Sequence, residues 1–106
     1  MALPRVLVLG DSFIRRLRKF VLGSPQHFNV DFHLSNFAVI KWHGIGGSTV
    51  TKTVQHDLHM IKSFKPDIVI VQLGSNDLTS ETALRVGVST DDFLRLLHDL
   101  YHVQVI

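Results

Sequence analysis

Near the start of the chain, Arg5-Val6-Leu7-Val8-Leu9 is an apolar, β-branched run that stops abruptly at Gly10-Asp11-Ser12. A run without polar alternation predicts a strand buried on both faces, of the kind found in parallel sheets. Beyond the turn, Phe13, Ile14, Leu17, Phe20 and Val21 recur at spacings of one, three and four, with Arg15, Arg16, Arg18 and Lys19 between them. That spacing predicts a short amphipathic helix from about Ser12, stopped by Gly23-Ser24-Pro25. Asn29 to Leu34 alternates, with Val30, Phe32 and Leu34 on one face and Asp31 and His33 on the other, and reads as an edge strand. Phe37 to Trp42 reads as a short extended connector.

Gly44-Ile45-Gly46-Gly47-Ser48-Thr49 is a loop by its glycines, and Val50, Val54, Leu58, Ile61 and Phe64 then predict one helix of about four turns. Lys65-Pro66-Asp67 ends it. Ile68 to Leu73 is the second strongly apolar strand, closing in Gly74-Ser75-Asn76-Asp77. Leu78 to Val88 shows no stable period and is expected to be a loop. Ser89 or Thr90 should cap the next helix, with Asp91 and Asp92 in its first turn and Phe93, Leu96, Leu97 and Leu100 on its buried face. Val103 to Ile106 begins a further strand. Strands alternating with helices predict an α/β fold with a mainly parallel sheet and right-handed crossovers, as one domain over 1–106.

Composition narrows the class without changing the fold. The 106 residues are 45% hydrophobic and 19% charged, which suits one small globular domain. No apolar run approaches the roughly 20 residues of a membrane span. Val6 to Leu9 is too short for a signal-peptide core, so a cytoplasmic location is the default expectation. Eleven Lys plus Arg against nine Asp plus Glu leave a net charge of +2, too small an excess to point to nucleic acid. Without cysteine there is no disulfide, thiolate zinc site or cysteine nucleophile.

In an open parallel sheet, ligands bind beyond the carboxyl ends of the strands. The three glycine-containing segments at 10–13, 44–49 and 74–77 should converge there. Ser12 would stand at a helix N-terminus, where exposed N–H groups and the helix dipole favour a developing negative charge. Gly47 can bring its backbone N–H close to a ligand, and the Asn76 amide offers further donors. A hydroxyl surrounded by such donors is the layout of an acyl-transfer site.

Gly10-Asp11-Ser12-Phe13, the 44–49 loop and Gly74-Ser75-Asn76-Asp77, in this order and spacing, resemble the first three sequence blocks of the SGNH hydrolases, also called GDSL esterases and lipases. Phe13 stands where the namesake motif has leucine. The resemblance implies a three-layer flavodoxin-like fold and hydrolysis of ester bonds without metal or cofactor. It also implies that Ser12 is the nucleophile and that the Ser12 N–H, Gly47 and Asn76 form the oxyanion hole. The family's fourth block, an Asp with a His three residues later, supplies the base and its orienting carboxylate. Asp99-Leu100-Tyr101-His102 has that form, but it ends a helix whose C-terminal end is expected to point away from Ser12. The fold is therefore expected to be truncated after the start of its fourth strand, with hydrolysis feeble as encoded. The alternatives are a binding module that keeps the donor pocket without turnover, or another flavodoxin-like domain.

Other features have plainer readings. Asp11 and Asp77 are expected to hold turns through hydrogen bonds. Gly44, Gly46 and Gly47 suggest a phosphate-cradling loop, but no Gly-Lys-Ser/Thr ending follows them. His56 with His59, and His98 with His102, are spaced to share an ion, yet neither pair has an evident third ligand, so no metal is expected. The basic run from Arg15 to Lys19 is expected to be a solvated helix face. Trp42 and Phe37 either pack beside the 44–49 loop or line an acyl pocket. A sheet ending at its fourth strand would leave an apolar edge open to self-association.

Overall fold

The structure, a computed structural model, describes residues 3–23, 36–79, 81–101 and 104–106. The expected edge strand over Asn29 to Leu34 lies outside them. The described elements are β1 (Arg5–Gly10), α1 (Ser12–Gly23), β2 (Val39–Gly44), α2 (Val50–His56), α3 (Leu58–Phe64), β3 (Ile68–Gln72), a 3-10 turn (Asp77–Thr79), α4 (Ala83–Tyr101) and β4 (Gln104–Val105). The four strands form one sheet in the order β2-β1-β3-β4, with every pairing parallel.

β1 is central and β3 lies beside it, which accounts for their continuous apolar runs. Register follows from the pairs Val6↔Ile40 and Val6↔Ile68 at one end and Gly10↔Gly44 and Gly10↔Gln72 at the other. Leu7, Leu9 and Val69 face α2, α3 and α4, and with Val50, Ile61, Phe93 and Leu97 they form the main core. On the other face Val8 is buried with Ile14 and Val21 of α1. α1 packs mainly on β1 and β2, and Ile70 of β3 is 36% exposed. At the amino-terminal end of the sheet, Arg5 Nε donates to the Phe64 carbonyl at 2.7 Å and the Arg5 N–H donates to Asp67 at 2.8 Å.

Three local expectations are corrected. The connector over Phe37 to Trp42 is in fact strand β2, beginning at Val39 and running to Gly44; as an edge among the described strands it alternates in burial and shows no continuous apolar run. The single helix over residues 50–64 is two helices divided at Asp57, which takes the cap position of both. The loop over Leu78 to Val88 is the 3-10 turn followed by the first turns of α4, which starts at Ala83 rather than at Ser89 or Thr90. Thr82 provides the early start: its hydroxyl oxygen accepts the Arg85 N–H at 3.3 Å and its carbonyl accepts the Val86 N–H at 3.0 Å. Gly87 and the β-branched Val86 and Val88 weaken the local helix signal, although Val86 continues the buried series of Phe93 and Leu97.

Candidate active site

β1 ends at a glycine because nothing larger fits. A Cβ on Gly10 would collide with the Ile14 side chain and stand 2.6 Å from the Gln72 carbonyl oxygen. Asp11, 2% exposed, then makes the turn: one carboxylate oxygen accepts the Phe13 N–H at 2.9 Å and the other accepts the Ser75 hydroxyl at 3.1 Å. The first bond satisfies an N–H that the start of α1 would otherwise leave unpaired, and the second fastens the β1 loop to the β3 loop. Ser12, the half-buried first residue of α1, is held between them.

The β2 loop is fitted to the same helix. A Cβ on Gly44 would run into the backbone of Ile14 and Arg15, so β2 meets α1 backbone to backbone. The Ser48 N–H donates to the Ile45 carbonyl at 3.1 Å, closing a turn in which Gly47 takes φ of 73°. No atom lies within 4 Å of a Cβ built on Gly47, so that glycine answers to conformation rather than crowding. Thr49 caps α2, its hydroxyl oxygen accepting the Lys52 N–H at 3.1 Å.

After β3, Gly74 takes φ of 117° and turns the chain back over the sheet. The Asn76 side-chain amide donates to the Ser48 carbonyl at 3.1 Å. Asp77, 2% exposed, accepts the Val50 N–H on both carboxylate oxygens, at 3.1 and 3.3 Å. Asp11 with Ser75, Asn76 with Ser48, and Asp77 with Val50 thus bind the three loops to one another at the carboxyl ends of β1, β2 and β3. Ser12 adjoins one clamp, Gly47 a second, and Asn76 is itself the donor of that second clamp. Ser12 thus stands at the N-terminal, positive end of α1, at the end of the sheet where the loops of Gly47 and Asn76 gather.

Two cations on this rim escape sequence reasoning. The Arg15 guanidinium lies against Gly46, and the Lys52 ammonium donates to the Gly47 carbonyl at 3.4 Å. Arg15 had the look of one member of a solvated basic face, and only the approach of the β2 loop to α1 sets it apart.

Asp99 stands at the other end of the sheet. It is exposed near the end of α4, 3.0 Å from His98 Nδ1, five residues before Gln104, which pairs with Ile68 at the amino-terminal end of β3. Roughly 13 Å of strand separates that level from Gly10, at about 3.3 Å per residue. His102 lies outside the described residues. Of the other histidines, His43 Nε2 lies 3.4 Å from the Asp57 carboxylate beneath the junction of α2 and α3, and His56 and His59 are exposed. Among the described residues no group of three or more His, Cys, Asp or Glu is placed to hold a metal ion. No helix among them is long and apolar enough to cross a membrane. Trp42 is half-buried and Phe37 is 69% exposed.

The chain matches the family of GDSL-like lipases and acylhydrolases over residues 6–102. Among solved structures, TesA superposes with a TM-score of 0.72 at 18% identity, over 95% of this chain and 57% of its own. The acetyl xylan esterase AlAXEase gives 0.69 at 17% identity, over 96% and 56%. A GDSL-like lipase from Bacteroides thetaiotaomicron VPI-5482 gives 0.67 at 18% identity, over 99% and 50%. The chain thus spans about half the length of these structures. No curated protein sequence matches it.

Proposed function

Since the chain belongs to the family of GDSL-like lipases and acylhydrolases, we propose that its three clamped loops form the nucleophile and oxyanion portion of a serine ester-hydrolase site acting on small or acetyl esters. The carrying observation is the pair of bonds from Ser75 to Asp11 and from Asn76 to Ser48, which draws Ser12, Gly47 and Asn76 to one end of the sheet. In this reading Ser12 Oγ attacks the acyl carbon, and the carbonyl oxygen becomes an oxyanion. The N–H groups of Ser12 and Gly47 and the Asn76 amide stabilise it, and losing one such donor costs about 3–4 kcal/mol. Collapse expels the alcohol and leaves an acyl-serine, which water hydrolyses.

The Oγ proton must also leave. Asp99 is at the far end of the sheet and His43 is engaged with Asp57. Among the described residues, which leave out His27, His33 and His102, water is the acceptor left, and with water in that role the rate is slow. Removing the base of a triad lowers kcat by about 10⁴–10⁶, while the oxyanion hole alone retains about 10³ over the uncatalysed reaction.

Hydrolysis of p-nitrophenyl acetate by the wild type, Ser12→Ala and His102→Ala tests the reading. Slow turnover that disappears in Ser12→Ala and persists in His102→Ala is expected. Loss in both variants would make His102 the base, and no turnover in the wild type would leave a binding module in place of a hydrolase.

A further inference from the structure

Arg15 and Lys52 hold the Gly46–Gly47 turn from different elements, α1 and α2. A Cβ on Gly46 would stand 3.0 Å from a guanidinium nitrogen of Arg15 and 3.2 Å from its central carbon. Gly46 does not adopt a positive φ, and its bare Cα leaves the guanidinium close against the turn. Lys52 reaches the same turn from the first turn of α2, bonding the Gly47 carbonyl at 3.4 Å.

Among the described residues neither cation meets a carboxylate. α1 contains no acidic residue, and the first turn of α2 has none. The acids of the neighbouring loops are committed elsewhere: Asp11 to Phe13 and Ser75, Asp77 to Val50. Two like charges on one turn, with no counter-charge from the protein, favour an anion from outside. Arg15 stands three residues after Ser12 on one helix, which puts their Cβ atoms about 5–6 Å apart. Its planar fork suits a carboxylate or a phosphate.

We propose that Arg15 and Lys52 form an anion-recognising clasp beside Ser12, so that the preferred ester carries a carboxylate or phosphate substituent close to the bond that is cut. As a statement about substrate, this rests on the reading of Ser12 as nucleophile. Arg15 and Lys52 are specificity residues in it and take no part in the bond changes.

The test compares kcat/KM for 4-acetoxybenzoate, 4-acetoxyphenyl phosphate and the uncharged 4-acetoxybenzamide, in the wild type, Arg15→Lys and the double variant Arg15→Gln/Lys52→Gln. In the wild type at low ionic strength, one or both anionic esters should be preferred about tenfold, with the preference shrinking as salt screens the charges. The larger of the two ratios identifies carboxylate or phosphate as the group recognised. Arg15→Lys, which keeps the charge and loses the fork, should keep only part of the preference, and the double variant should bring the ratio near one. A wild-type ratio near one, or a ratio unchanged in the double variant, overturns the proposal.

If none of the esters is cleaved, the reading of Ser12 has failed, and the clasp is read by binding alone. The amide resonances of Gly46 and Gly47 are then titrated with benzoate, inorganic phosphate and benzamide. Saturable shifts with an anion in the wild type, lost in the double variant, support the clasp. The same response in both proteins, or none to either anion, overturns it.

Discussion

The Asn76 amide donates to the Ser48 carbonyl at 3.1 Å, joining the loop after β3 to the loop before α2 across 28 residues of chain. That bond fixes where the amide points, and in the proposed mechanism the amide is also an oxyanion donor. Asn76→Ala should therefore lower kcat for p-nitrophenyl acetate by about 10²–10³, the usual cost of one such donor. Its thermal stability should fall by only about 1 kcal/mol, the worth of one hydrogen bond. A variant that melts like the wild type and also turns over like it would remove Asn76 from the site.

Asp77 acts on stability instead. Its buried carboxylate caps α2 through the Val50 N–H, and a lost cap costs about 0.5–2 kcal/mol. Asp77→Ala should lower Tm by roughly 4–8 °C for each kcal/mol lost, and Asp77→Asn, which keeps an acceptor oxygen, should lower it less. Equal melting of the two variants would mean that the cap is not what the carboxylate provides.

Two glycines of the same loop should fail in different ways. Gly44→Ala pushes a methyl group into the α1 backbone, where overpacking costs about 1–3 kcal/mol and displaces the helix that carries Ser12. Gly47→Ala has open space and pays only for φ of 73°, about 1–2 kcal/mol for a residue with a side chain. Melting curves should rank Gly44→Ala as the less stable, and the reverse order would show that Gly44 yields more readily than its packing implies.

Asp99 should be dispensable. It is exposed, pairs with a neighbouring histidine, and stands at the amino-terminal end of the sheet. Asp99→Asn should change p-nitrophenyl acetate turnover by less than a factor of about two, as surface substitutions usually do. A loss of tenfold or more would bring the 99–102 segment into the mechanism.

The exposure of Ile70 on β3 predicts self-association. Ile70 lies in the middle of a strand flanked on both sides, yet it is 36% exposed, and Ile106 beyond β4 is 66% exposed. Sedimentation should show mass rising with concentration, and Ile70→Lys should reduce it, because a charge on an open sheet face opposes stacking. A monodisperse monomer across the concentration range would contradict this.

What the sequence makes legible follows from where each residue sits. β1 and β3 are readable because strands enclosed by neighbours need an unbroken apolar run, and the glycine-flanked polar turns mark the carboxyl ends where the loops gather. β2 is harder to read, since as an edge among the described strands it alternates and carries Lys41, whose ammonium lies 5.5 Å from the Phe64 ring. The early start of α4 depends on Thr82, a cap that Gly87 and two valines obscure. Asp57 divides a continuous apolar period into two helices, a break that leaves the spacing of Leu58 and Ile61 intact. At the site, Ser12, Gly47 and Asn76 stand out by motif, and Asp11 and Asp77 by their turn chemistry. The clasp of Arg15 and Lys52 does not, because it arises where α1 and α2 both meet the loop after β2, and no local pattern encodes it.

The most direct test of the central claim is chemical labelling of Ser12. Ser12 Oγ attacks the phosphorus of an organophosphorus fluoride, fluoride leaves and the hydroxyl proton passes to water, so the adduct accumulates slowly over a long incubation, and peptide mass spectrometry locates it. The account predicts one adduct per chain, on the peptide containing Ser12, absent in Ser12→Ala and much slower to form in Asn76→Ala. No adduct in the wild type after that long incubation, or an adduct on Ser48 or Ser75 instead, would contradict it.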